Sequence, residues 1–261
     1  MSHATLQSLV HAIGPDKVTG FFLVLARIAP LFVLAPVFSS AILPVKARSV
    51  VAVGLAVGLT PIAVHGQPIP TAVLPVIGLL LVQVLVGLSF AFAVGAVLYA
   101  VQAAGSLNDM LSGFSFGALV DPINGNQGGA LTSLYGLVGM MMFIAIGGDA
   151  WMLRGLTHTF DLVPLTGTVS LGGIASGAEQ AFGAVFVGAV EVAAPVMLAM
   201  FVTDTAFGMV SKVVPQVNVF GVGFALKIGV ALLVVAASLP FIGEFMNNQL
   251  STAVGSVLQA L

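Results

Sequence analysis

The chain has 261 residues, 59% hydrophobic and only 6% charged, with a net charge of −2 and a mean hydropathy of +1.17. Soluble domains carry roughly 45–50% apolar and about 25% charged residues, so this chain cannot cover a surface facing water and must face lipid or subunits that lie in lipid. The net charge of −2 argues against nucleic acid as a partner, since binding phosphates needs a concentrated basic patch, and zero cysteines exclude disulfides, thiolate metal sites and thiol nucleophiles.

Met1 to Gly14 holds no Lys or Arg, and the apolar segment that follows contains Arg27, so it reads as a retained membrane helix and not as a cleaved leader. The first two apolar segments cover about 18–38 and 49–64. No charge occurs between Arg48 and Asp109, a stretch too long for one span of ~20 residues. It divides at His65-Gly66-Gln67-Pro68-Ile69-Pro70. The third segment, about 75–104, is long enough to protrude or tilt. A fourth covers about 130–146, a fifth 178–202 and a sixth 219–242, while the apolar tail 249–261 is too short to span. Lys46, Arg48 and Lys212 on one side against Lys17 and Arg154 on the other, three against two, only narrowly favour both termini outside the cytoplasm. The expected fold class is therefore an all-α membrane protein with about six apolar segments.

Several features fit two readings, ordinary kinked membrane helices or a chain built to pack against partners rather than lipid, and the aromatic usage leans to the second. Pro30, Pro36, Pro61, Pro195 and Pro240 lie in or beside the spans, and the chain has 31 glycines, which allow close helix approach. One Trp and two Tyr against 18 Phe make a thin interfacial belt.

Charges inside apolar segments are the functional candidates in a membrane protein: Arg27, Glu179, Glu191, Asp204, Lys212 and Lys227. A proton relay needs acids on one helix face, but Glu191 and Asp204 are 13 apart and Glu179 and Glu191 are 12 apart. Pairing across to another helix or subunit is the better expectation. His158 near Asp161 reads as a surface hydrogen bond, and the run 125–129 lacks a Lys to hold phosphate. No catalytic, cofactor or metal site is expected. The segment 113–122 is too apolar for an exposed loop. It is either a buried turn or an apolar patch on glycine hinges that closes a pore by excluding water.

Three stretches carry a family resemblance. They are Arg27-Ile28-Ala29-Pro30 with Pro36, Pro44 and Arg48; Gly113-Phe114-Ser115-Phe116 with Val120-Asp121-Pro122; and Pro215-Gln216-Val217-Asn218-Val219-Phe220 with Gly223-Phe224 and Lys227-Ile228. In that order they resemble the FliR family of flagellar type III export-gate membrane proteins over nearly the whole chain. The resemblance implies long kinked helical hairpins assembled with FliP and FliQ into a cone-like gate. FlhB would be associated with it and FlhA would form the neighbouring ring, at the flagellar basal body in the inner membrane. Exported flagellar proteins would be the substrates.

It further implies a FliP-like part, 1–177, with a plug loop 105–128, and a FliQ-like hairpin, 178–261. The plug maps onto Gly113, Phe114, Phe116, Gly117 and Leu119, and subunit contacts are expected at Arg27, Glu191, Asp204, Lys212 and Lys227. Leu119 stands where some relatives carry an aromatic residue, and Ala225 where many carry proline. Injectisomes use a homologous subunit, SctT. A rival from another class is an ion-coupled secondary transporter using Glu191, Asp204 and Lys227, which should show internal repeats; no convincing repeat is present.

Overall fold

The computed structural model of the protein describes residues 14–39, 44–115, 129–213 and 219–260, and its regular structure there is entirely helical. In chain order the helices are α1 (Pro15–Leu34), α2 (Pro36–Ser39), α3 (Val45–Val64), α4 (Val73–Ser112), α5 (Ala130–Ala145), α6 (Gly148–Leu162), α7 (Leu171–Val213) and α8 (Val219–Ala260). Five of them are long and apolar enough to cross a membrane, or six spans if α5 and α6 count as one broken span. The protein is an all-α membrane protein.

Local chemistry sets the boundaries. α1 opens with Pro15 and an acidic Asp16 in its first turn, where a missing N–H costs nothing and a negative charge suits the helix dipole. It stops at Ala35, whose ψ of 120° is the extended conformation that a following proline imposes. Beyond α3, α4 and α5 the chain turns at Gly66, Gly113 and Gly147, with φ of 73°, 88° and 71°, the left-handed conformation that glycine adopts without penalty.

α4, α7 and α8 contain 40, 43 and 42 residues, about 60 Å each at 1.5 Å per residue, twice what a bilayer core of ~30 Å requires. This corrects the lengths read from hydropathy. The apolar third segment ends near Ala104, yet the helix continues through Asn108 and Asp109, because both side chains find partners inside the protein. The tail 249–261 is likewise no separate element; up to Ala260 it is the last part of α8, with Val254 and Val257 buried. α6 is a further helix that apolar segments did not reveal. It is amphipathic, burying Met152, Leu156 and Thr159 while exposing Asp149, Arg154, His158 and Asp161.

The chain divides into two compact units, one of Met1–Gly95, Asp149–Ala181 and Thr252–Leu261, the other of Ala96–Gly148 and Phe182–Ser251. They interleave along the chain, a different division from the sequence parts 1–177 and 178–261. The first unit buries Leu23, Ile28 and Leu31 of α1, Val86 and Phe90 of α4, Met152 and Leu156 of α6 and Val257 of α8. There α3 presents buried Ala52, Ala56 and Ala63, small enough for a close approach to α1. The second unit buries Val101 and Ala104 of α4, Tyr135 and Phe143 of α5, Val196 and Met200 of α7, and Ile242 and Met246 of α8.

Because Val257 is 1% exposed, Val257→Asp would bury an unpaired carboxylate, whereas Ser251→Asp adds a charge at an exposed position of the same helix. We expect Val257→Asp to lower the membrane level of the protein severalfold and Ser251→Asp to leave it unchanged, as read by quantitative immunoblot.

Candidate functional site

In the first unit Arg27, on α1, is wholly buried and makes four side-chain hydrogen bonds. Its Nε donates to Gln83 Oε1 of α4 at 2.6 Å. One terminal nitrogen donates to the carbonyl of Thr159 at 2.8 Å and to its hydroxyl at 3.4 Å; the other donates to the carbonyl of Val163 at 2.7 Å. The Phe160 ring lies 4.3 Å from the guanidinium carbon, a cation–π contact. None of these partners carries a charge. Thr159 lies in the last turn of α6 and Val163 directly follows it, so the cation sits at the negative end of that helix's dipole, sharing the Thr159 carbonyl with the Val163 amide (3.0 Å) and binding the Val163 carbonyl beyond it.

The supporting contacts orient this site. Gln83 donates from Nε2 to the carbonyl of Leu165 at 3.0 Å, which turns its oxygen toward Arg27. Gln67 continues the network, donating to the carbonyl of Ala63 at 2.9 Å and accepting from the Thr166 amide at 3.4 Å. Gly87 permits the approach of α4 to α1: a Cβ there would run into the carbonyl of Arg27.

The second unit holds a counterpart of opposite sign. Asp109, 1% exposed, lies in the last turn of α4, where its own helix dipole disfavours a negative charge. Its carboxylate accepts from the amides of Leu131 (2.8 Å) and Thr132 (2.7 Å) and from the Thr132 hydroxyl (2.6 Å). These amides open α5, whose N-cap residue, Gly129, has no side chain to cap with. A Cβ at Gly129 would occupy the carboxylate's own position. Next to it, Asn108 donates to the Tyr135 hydroxyl at 3.0 Å.

The other expected residues are dispersed. Lys227 of α8 pairs with Asp204 of α7 inside the second unit, both side chains partly accessible. Glu179, Glu191 and Lys212 are exposed on α7. His158 and Asp161 meet on the surface at 3.1 Å, as the sequence suggested. Gly113 forms the turn that ends α4, and its Cα hydrogens face the Phe224 ring, whose nearest atom would be 2.8 Å from a Cβ. Phe114 is half-buried; Phe116, Gly117 and Leu119 lie outside the described residues, as do Pro215 to Asn218. Among the described residues no three His, Asp or Glu side chains gather closely enough to hold a metal.

Arg27 was visible in the sequence, but its partners were not: the guanidinium is satisfied within the chain and not at a subunit surface. The available signal was Gln83, the one polar residue between Val73 and Gly87. Asp109 served only as the end of an uncharged run; a carboxylate twenty residues before a glycine-capped helix start was the missed signal. With both charges committed to backbone groups, the arrangement can fix helix ends in an apolar medium, and it presents neither group to a substrate.

The family model described as bacterial export proteins, family 1, matches residues 18–253. The flagellar biosynthetic protein FliR of Escherichia coli is 23% identical over 231 residues, covering 88% of each chain. FliR of Bacillus subtilis is 28% identical over 253 residues, 94% of this chain and 96% of the relative. The surface presentation of antigens protein SpaR of Salmonella typhimurium is 25% identical over 227 residues, 86% of this chain and 83% of the relative.

Removing the guanidinium would leave Gln83 Oε1 and the Val163 carbonyl buried without donors, each at a cost of roughly 1–3 kcal/mol. Arg27→Ala should therefore all but abolish accumulation in membranes. Arg27→Lys, a point charge that cannot span three acceptors, should be intermediate. Gln83→Leu should be the mildest of the three. Membrane levels of the tagged variants at equal transcript levels measure this order.

Proposed function

The chain belongs to family 1 of the bacterial export proteins, and from that premise we propose that it is a structural, pore-forming subunit of the bacterial flagellar type III protein export gate. It is an integral membrane component of an export apparatus and assembles with other export components. The observation that carries the proposal is the family match over residues 18–253, with FliR relatives aligned along about nine-tenths of both chains. In this reading its neighbours are FliP and FliQ, with FlhB associated and FlhA in the adjoining ring. Its place is the inner membrane at the flagellar basal body, its cargo is exported flagellar protein, and it performs no catalysis.

The distribution of apolar surface supports obligate assembly. Exposed large apolar side chains run along α7 from Phe182 to Val213. That is about 47 Å of helix at 1.5 Å per residue. A hydrocarbon core of ~30 Å cannot cover that length, so protein must cover the rest. Exposed Glu191 and Lys212 on the same helix call for polar partners of the kind that subunits supply and lipid tails do not. The same reading makes Gly113, Phe114, Phe116, Gly117 and Leu119 the segment that plugs the channel at rest, the rings excluding water and ions. The SpaR relatives favour one second reading, the homologous injectisome gate.

Expressed alone, the protein should be degraded or aggregate; co-expressed with FliP and FliQ from the same genome it should form a detergent-stable complex of defined mass by native mass spectrometry. A well-behaved monomer that ignores both partners would overturn the proposal.

A further inference from the structure

Asp109 makes hydrogen bonds on both sides of the connection between α4 and α5. Its main-chain carbonyl accepts from the amides of Gly113 at 3.1 Å and Ser115 at 3.3 Å, on the stem that leaves α4. Its carboxylate accepts from Leu131 and Thr132, on the stem that enters α5. Both lone pairs of the carbonyl and three of the roughly four acceptor positions of the carboxylate are thereby used. A residue needed only to cap α5 could sit at position 129 itself, where Asp is among the preferred N-caps and the backbone is already extended, with φ −61° and ψ 164°. Here the N-cap is a glycine, and the capping charge is supplied from the neighbouring helix, twenty residues earlier in the chain.

We propose that Asp109 is a positioning residue that clamps the two stems, Gly113–Ser115 and Leu131–Thr132, to one another, beyond its service as a helix cap. Its carboxylate fixes where α5 begins relative to where α4 ends, and the turn at Gly113 is held by the same residue. Asn108, one position earlier, adds its bond to Tyr135 one turn into α5. The consequence for ion tightness rests on the plug reading given above; the clamp itself does not.

The two roles separate by moving the carboxylate. Asp109→Ala vacates the space into which a Cβ at Gly129 would project, so the double variant Asp109→Ala/Gly129→Asp keeps a charged cap on α5 but cuts its tie to α4. The chain has no cysteine, so nitroxide labels at Met110→Cys and Ser133→Cys, both exposed, report the separation of the two helix ends in the assembled complex. We expect a single narrow distance distribution with Asp109 present. The double variant should assemble at the parental level but give a broad distribution, and ion conductance of the complex in planar bilayers should rise.

A broad distribution with no added conductance would uphold the clamp and remove the plug reading. A distribution as narrow in the double variant as in the parent would overturn the clamp, whatever the conductance. Should the double variant fail to accumulate, the isosteric Asp109→Asn decides. Its amide can accept from one N–H but opposes the other, so broadening supports the clamp and an unchanged distribution overturns it.

Discussion

A helix that stops within an apolar medium leaves four amides at one end and four carbonyls at the other with no water to bind. α5 and α6, at 16 and 15 residues, are both shorter than a bilayer core requires, and the ends they turn toward Asp109 and Arg27 are buried in protein, where the same difficulty arises. The chain meets it with charge of the appropriate sign at each end: a carboxylate at the amides that open α5 and a guanidinium at the carbonyls that close α6. A charge left alone in a membrane costs at least ~2.5–3.5 kcal/mol, and an unfilled helix end costs further. Each requirement is met by the other, so neither Arg27 nor Asp109 needs a counter-ion among its partners.

The rest of each unit is arranged to bring these groups to their places. In the first, Gln83 turns its amide between Arg27 and Leu165, and the bare backbone at Gly87 lets α4 come close enough to α1 for that reach. In the second, Gly129 leaves room for the Asp109 carboxylate at the start of α5. With the helix ends satisfied internally, the remaining apolar surface of the long helices is free to serve assembly. Its extent along α7 exceeds a hydrocarbon core of ~30 Å, and on that physical ground rests the proposal of an obligate subunit.

The helical class and the positions of the apolar segments were legible in the sequence, because twenty apolar residues without charge have few other fates. Helix ends were not. Hydropathy marks the stretch that tolerates lipid, while the helix continues wherever side chains such as Asn108, Asp109, Val254 and Val257 find partners or burial inside the protein. α6 was missed because its polar face masks a buried stripe at four- and three-residue spacing. Arg27 was marked by its charge, yet its partners stand 56 and more residues away, and no local pattern couples them. Lys227 and Asp204, marked separately, prove to be partners of each other across two helices.

The central claim is that the buried cation of α1 is held by the end of α6 within one subunit. The most direct test is the density around Arg27 in an electron cryo-microscopy map of the assembled complex at side-chain resolution. The guanidinium should lie within hydrogen-bonding distance of the carbonyls of Thr159 and Val163, with the Gln83 amide oxygen at Nε. A guanidinium turned outward onto a carboxylate of another subunit, with the end of α6 satisfied by other groups, would contradict the account.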